Sequence, residues 1–525
     1  MREVPEALAP FATTLAPNGM VCSVDHLASS AGVAMLRAGG SAVDAAVAAS
    51  AVLAVTSQHM CGMGGDLFAL VHTPGDPAPA CLNASGRSGS GADPDRLRAE
   101  GHVTMPYRGD IRSTPVPGCV DGWLVLHERY GRLALADVLE PARRYAADGF
   151  PPSPLMRLAT ALVADLPGGD DYRDVGAVIR RPGVARALEA IVKDGRAGFY
   201  EGEFGSGLIE LGGGEYQSSD LAEPNADWVE PLALDAWGHR LWTVPPNSQG
   251  YLTLAAAWIA DGLDLPTDPA RDRWAHLLIE AARQAAFDRV EVLHEHADGR
   301  ALLAPERLSP RRDAIDDDRA SVVAGSHRDG GTMYMCAVDG DRMGVSFIQS
   351  NAADFGAHVF EPNTRISLQN RGTGFSLEPG HPAEYGPRRR PPHTLAPALV
   401  TRLDGSLAMT IGTMGGDSQP QIVLQLLARI LHAGETPGDA MAAPRWDLHS
   451  RDGGGFDTWD DPAEVDVRLE EGAPRPWWDG LVQRGHTVVE HRAWSMGHAH
   501  VIAEQDGVLA GAADPRTRTG AATGY

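Results

Sequence analysis

The chain predicts an α+β protein, and three observations carry that expectation. Residues from about 120 to 310 read mainly as helix, and residues after 331 read as short apolar β-type runs. A polar, breaker-rich stretch over about 309–331 separates the two patterns. With 525 residues and 43% hydrophobic content, the chain can bury a large core. Length alone allows roughly two to four domains.

The first 150 or so residues are rich in Ala and Gly. Leu27 to Gly39 predicts a helix, with Ala31, Met35 and Leu36 on one apolar face and Gly39-Gly40 as its stop. Ser41 to Val55 predicts a second helix, capped by Ser41 and apolar all round, which marks it as buried. It leads into the glycine loop Met60 to Asp66 and a strand over Leu67–Val71. Ala275 to Val290 is the clearest helix of the middle segment. The separating stretch carries Pro310, Arg311, Arg312, Asp313 and the run Asp316 to Arg319. Strands are expected over Met333–Val338, Met343–Ile348, Ala396–Val400 and Leu407–Ile411.

A formal net charge of −24 argues against a nucleic-acid partner, whose phosphates need clustered Lys and Arg. No run approaches the roughly 20 apolar residues of a bilayer span. Residues 1–20 carry Glu3, Glu6 and helix-breaking prolines, unlike a signal peptide. The five cysteines are scattered and lack a C-x-x-C pair, so neither a disulfide framework nor structural zinc is expected. A cytoplasmic protein is the expectation.

The segment Asp329-Gly330-Gly331-Thr332-Met333-Tyr334 carries the chemistry. A threonine hydroxyl is a weak nucleophile unless a base adjoins it, and cutting the chain before the threonine supplies its own freed amine as that base. Gly331–Thr332 then reads as a self-cleavage point and Thr332 as a nucleophile. By itself the triplet reads more readily as a glycine turn entering a strand.

Separated motifs along the chain decide between the two. They are G-G-S-A-V-D-A-A-V-A-A (Gly39 to Ala49), C-G-M-G-G-D (Cys61 to Asp66), S-T-P-V-P-G (Ser113 to Gly118), P-P-N-S-Q-G (Pro245 to Gly250), T-M-G-G-D-S-Q-P-Q (Thr413 to Gln421), A-P-R-W (Ala443 to Trp446) and G-A-A-D-P-R near the end. In this order they resemble the γ-glutamyltransferase family of N-terminal-nucleophile hydrolases, from about Gly19 to Tyr525. The resemblance implies a four-layer αββα sandwich made of a large subunit, 1–331, and a small subunit, 332–525, cut from one precursor. It implies Gly415 and Gly416 as an oxyanion hole, and Asn351 and Gln349 as residues positioning the nucleophile. Arg87 is implied to pair with a substrate carboxylate, a task suited to its bidentate fork.

The chain departs from the family where an α-ammonium is held. Its run Leu368 to Phe375 carries Arg371 and Gly374 in place of an acid or amide and an aspartate, and His393-Thr394 replaces a serine pair. Arg371 would repel an ammonium and attract a carboxylate or dicarbonyl oxygen. The segment between Phe375 and Pro391 is short for a lid loop. These features are similar to a divergent branch that includes oxamate amidohydrolase, so Arg87, Arg371, His393 and Thr394 are expected to hold a small anionic amide. Met333-Tyr334 stands where relatives have Thr-His.

His294-x-His296 and His498-x-His500 lack a third ligand at motif spacing, and neither metal nor cofactor is expected. Gly62 to Gly65 precedes a strand and lacks the order of a dinucleotide fingerprint. The expected partners are the substrate and the chain's own two subunits, with a dimer of such heterodimers left open. Two other readings stand beside this one: a true γ-glutamyltransferase or glutathione hydrolase, and an uncut, non-catalytic binding protein.

Overall fold

A computed structural model describes residues 13–173, 175–321, 331–451, 465–492 and 495–525. Residues 322–330 of the expected linker, and residues 1–12 of the expected non-leader segment, lie outside the described residues.

The strands of the first half are β1 (Thr14–Ala16), β2 (Met20–Ser23), β3 (Asp66–His72), β4 (Ala80–Ala84), β5 (Asp227–Val229), β6 (Leu232–Ala236) and β7 (His239–Thr243). Those following are β8 (Gly331–Val338), β9 (Gly344–Ala352), β10 (Ala398–Arg402), β11 (Leu407–Thr413), β12 (Trp446–Ser450) and β13 (Val465–Glu470). The last are β14 (Val488–His491), β15 (Ala499–Gln505), β16 (Val508–Ala513) and β17 (Ala521–Gly524). One seven-stranded sheet runs β17-β2-β8-β9-β3-β4-β5, a second runs β1-β16-β15-β11-β10-β7-β6, and β12-β13-β14 form a small third. All pairings within the two large sheets are antiparallel. Both large sheets mix strands from before residue 331 with strands from after it.

The large sheets face each other. Phe68, Tyr334, Cys336 and Ile348 of one meet Trp242, Leu399, Leu407 and Ile502 of the other in a shared apolar cluster. The opposite face of the first sheet, with Met333, Met335, Val345 and Phe347, packs on helices that include His26–Arg37 and Ala42–Thr56. The opposite face of the second packs Val400, Met409 and Val501 against helices Tyr251–Asp261, Asp272–Ala286 and Gln419–Leu427. Strand side chains alternate between faces, so each sheet supplies one face to its partner and one to helices.

The helix Ala42–Thr56 has the predicted start: Ser41 accepts from the Asp44 N–H while the Asp44 carboxylate accepts from the Ser41 N–H. Every residue in it is buried, as its all-round apolarity predicts. The preceding helix ends before Gly39, whose φ of +90° suits glycine. All four strands expected after residue 331 are present within a few residues.

The segment 120–310 is mainly helical, as expected, but three strands lie within it. β5 pairs with β4, and β6 with β7, which pairs in turn with β10, so these short, partly polar runs could not be announced by periodicity. The helix expected over Ala275–Val290 is Asp272–Ala286 followed by a separate turn, Arg289–Val292. It breaks at Asp288, which leaves helical geometry and takes ion pairs from Arg307 and Arg311. The expected linker also starts late: Pro305–Asp313 is a helix, with Pro305 in its first turn, where a missing N–H costs nothing.

Two quoted motifs meet in a buried ion cluster. Arg445 pairs with Asp514 at 2.7 Å, Asp514 with Arg516, and Arg516 with Glu470. The two guanidiniums hold the Asp514 carboxyl down to about 2 against the opposing effect of burial. Among the described residues no helix is long and apolar enough to cross a membrane.

Five buried histidines set a pH limit. Burial pushes the imidazoles of His59, His486 and His500 down to about 3 and those of His393 and His498 to about 4, from an ordinary 6.5. The unfolded rings take up protons near 6.5 and the folded rings do not, so stability is full above that pH and falls toward 4. Each ring contributes about 1.4 kcal/mol per pH unit across that window. Thermal unfolding should therefore show Tm falling steadily from about pH 7 to about pH 4.5. A flat Tm over that range would mean the rings are protonated in the folded protein.

Candidate active site

Thr332 heads a central strand, with β2 on one side of β8 and β9 on the other. The β8–β9 ladder pairs Gly331 with Ala352 and Met333 with Gln349, and its register shifts between Gly331 and Met333. A bulge of this kind re-aims the side chain it contains. Tyr334 and Ile348 face the other sheet, so two-residue alternation turns Thr332 and Ser350 to that face as well. Thr332 is buried, and its Oγ1 lies 3.3 Å from Ser350 Oγ and 3.4 Å from Gln419 Nε2.

A charged network begins one hydroxyl away. Arg371 Nη2 donates to Ser350 Oγ at 3.1 Å and Nη1 to Thr394 Oγ1 at 3.0 Å, while Nε lies 3.4 Å from Asp66 Oδ2. His393 Nδ1 accepts from the Leu395 N–H, which leaves Nε2–H to donate to Asp66 Oδ2 at 2.5 Å. Burial, then the nearby Arg371 cation, keeps the His393 ring neutral. Burial likewise lowers the Arg371 pKa against the support of Asp66. Asp66 is held at the start of β3 by a loop with no room for side chains. A Cβ on Gly65 would lie 2.2 Å from the Ser350 carbonyl oxygen, and one on Gly64 the same distance from that of Ser367.

Gly415 and Gly416 form the turn between β11 and the helix Gln419–Leu427, with φ of +137° and +56°. Only glycine adopts the first of these readily. Gln249, from the P-P-N-S-Q-G loop, donates to the carbonyls of Gly416 and Thr394 and so ties this turn to the Arg371 side. The nucleophile candidate, the glycine turn and the arginine are thereby brought together.

Other expected site residues fall elsewhere. Gln349 and Asn351 lie on the helix side of β9, opposite in parity to Ser350. Gln349 accepts from Ser50 Oγ and donates to the Ser50 carbonyl, and Asn351 Nδ2 donates to the Gln58 carbonyl. The residues touching the Thr332 hydroxyl are thus Ser350 and Gln419, with Ser350 rather than Gln349 turned toward it by strand alternation. Asn351 Oδ1 is a buried acceptor without a hydrogen-bond partner among the described residues. His393 is fully buried behind Asp66, whereas Thr394 and Arg371 line an open cavity of about 730 Å3. Arg87 is not beside them: it pairs with Asp227 at 2.8 Å and lines a separate cavity with Asp220 and Arg388. Asp227 lies on β5, the strand that periodicity missed, so this pairing left no signal in the sequence.

Sequence reading passed over Ser350, Gln419, Gln249 and Asp66 as site residues. Three of them belong to quoted motifs, and the fourth sits between the two β9 residues that were named. Among the described residues, His276, Glu280 and His486 form the one cluster of three potential metal ligands. Their own hydrogen bonds account for it: His276 Nδ1 to His486 Nε2 at 2.9 Å, His276 Nε2 to the Asp316 carbonyl, and Glu280 to the Ser321 N–H.

The sequence profile of the gamma-glutamyltranspeptidase family matches residues 28–524. The chain is 36% identical to the glutathione hydrolase-like YwrD proenzyme of Bacillus subtilis, covering 96% of this chain and 98% of that one. It is 35% identical to the oxamate amidohydrolase proenzyme of Klebsiella pneumoniae, covering 98% and 99%. The crystal structure of a cephalosporin acylase from Bacillus halodurans superposes with a TM-score of 0.89 at 31% identity, covering 100% and 99%.

Replacing Arg371 tests the network. Arg371→Met removes the cation that faces buried Asp66 and should cost about 3–5 kcal/mol in a denaturant titration. A loss below about 1 kcal/mol would show that Arg371 is not what compensates the Asp66 carboxylate.

Proposed function

Because the chain belongs to the gamma-glutamyltranspeptidase family, an enzyme family of amide hydrolysis and acyl transfer, we propose that it is a self-processing N-terminal-threonine amidohydrolase. The cut falls between Gly331 and Thr332, and the fragments 1–331 and 332–525 stay together as a four-layer αββα sandwich. The composite sheets support this, since separation would strip strands from both.

In the processed enzyme the freed Thr332 amine, with an ordinary pKa of about 7.7–8.0, accepts the hydroxyl proton near neutral pH. Thr332 Oγ1 then bonds to the amide carbon. The tetrahedral oxyanion takes N–H donors from Gly415 and Gly416, whose lack of a Cβ admits the substrate closely. The C–N bond breaks, the amine leaves with the proton, and water hydrolyses the acyl-enzyme. Ser350 and Gln419 orient the hydroxyl. Gln349 serves to hold β9 against the Ala42–Thr56 helix.

One observation carries the substrate reading: a buried arginine whose Nη2 is 3.1 Å from the hydroxyl that itself touches Thr332. A carboxylate or dicarbonyl oxygen beside the scissile amide would replace the hydroxyls on the two Nη atoms, with Thr394 beside it. Asp66, steadied by His393, keeps the guanidinium oriented. An oxamate-like acyl group fits this chemistry, and the relative named for oxamate supports it. Arg87 would join the substrate only by leaving Asp227. The glutathione hydrolase reading is favoured by several relatives' names but would set an α-ammonium near Arg371. Five buried cysteines without a disulfide support a cytoplasmic location.

Ammonia release from oxamate, measured beside hydrolysis of a γ-glutamyl anilide, tests the reading. Oxamate turnover should exceed anilide turnover by at least about tenfold in kcat/KM, and Arg371→Lys should lower it by a similar factor by losing the fork. Robust anilide turnover with oxamate inert would overturn the substrate assignment.

A further inference from the structure

The cavity floored by Arg371 and Thr394 is larger than a small anion needs. About 730 Å3 lies within the range of pockets that enclose drug-sized ligands, whereas oxamate has only a handful of non-hydrogen atoms. Part of its wall is apolar: Val103, Val290, Leu293, Phe375 and Leu377 are among the lining residues. Val103 is 88% exposed and Val290 37%, so neither is covered by the rest of the fold. A small carboxylate explains Arg371 but leaves this wall without a purpose.

The cations along the cavity do not alter that balance. Arg98 is paired with Asp95 and Glu384, and Arg289 lies 3.3 Å from Asp417. Both guanidiniums have carboxylates of their own, as Arg371 has Asp66, but Arg371 is the one joined through Ser350 to Thr332.

Resting on the proposed nucleophile and carboxylate anchor, we infer that the substrate is an amide with two unlike ends. Its acyl part carries a carboxylate beside the scissile carbonyl, and its nitrogen carries an apolar, ring-sized group that packs on Val103, Val290 and Phe375. Thr332 Oγ1 bonds to the carbonyl carbon, the C–N bond breaks, and an arylamine leaves with the proton first taken by the Thr332 amine. Water then splits the ester, returning the hydroxyl to Thr332 and releasing the dicarboxylate. Burying a ring against such a wall is worth about tenfold or more in affinity.

The test separates binding from chemistry. Calorimetric titration of the Thr332→Ala protein, which needs no processing, should give N-phenyloxamate a Kd at least about tenfold below that of oxamate. Val290→Trp in the same background should shrink that ratio severalfold by filling the space for the ring. Equal affinities, or a ratio indifferent to Val290→Trp, would overturn the inference whether or not the enzyme turns either compound over. A preserved affinity ratio in a processed protein that cleaves neither compound would instead count against the nucleophile assignment and leave the inferred ligand class supported.

Discussion

The bulged pairing of β8 with β9 is the constraint on which the rest of this structure depends. Ordinary pleat continued from the Met333–Gln349 pair sets Thr332 opposite Ser350, on the face between the two sheets, and the register shift at Gly331 takes the ladder out of step immediately before it. That face is otherwise a dry apolar layer, so the few polar groups admitted there must satisfy one another. β8 is also clamped on both sides, by β2 from early in the chain and by β9. A cut before Thr332 would leave the strand held by both ladders, and this is how a new chain terminus can sit at a fixed position in a core.

Electrostatics at the centre follow from burial. The protein is strongly acidic as a whole, at −24, yet the charged group one hydroxyl away from the candidate nucleophile is a cation. Arg371 is tolerable there because Asp66 faces it and His393, kept neutral, fixes Asp66 from behind. The glycines at 64 and 65 let that loop lie against β9 and so locate Asp66. Binding an anion would trade the hydroxyl contacts of Arg371 for charge-assisted ones in a low-dielectric setting, where such contacts are strongest.

Much of this was legible in the residues. The Ser41–Asp44 capping box, the glycine stop at 39 and the strands after 331 follow from local rules that tertiary context did not overturn. Three things were hidden for physical reasons. β5 is a strand because β4 pairs with it, and β6 and β7 because they pair with each other and β7 with β10; no local period records that. The choice of Ser350 over Gln349 depends on parity at a bulge, and a shift of one residue reverses every face. The pairing of Arg87 with Asp227 joins distant residues of an ion pair, and only the fold brings them together. Departures from the family pattern pointed to Arg371 and Thr394 separately; the hydrogen bond between them is a three-dimensional fact.

Whether the chain cuts itself before Thr332 decides the proposed chemistry. Intact-mass measurement of the purified protein and of its Thr332→Ala variant, after prolonged incubation, tests this most directly. Two fragments corresponding to residues 1–331 and 332–525 in the first, and one full-length species in the second, are the predicted result. A single full-length species in both would contradict the claim and make the protein an uncut member of its family; fragments meeting at the same point in the variant would assign the cut to another protease.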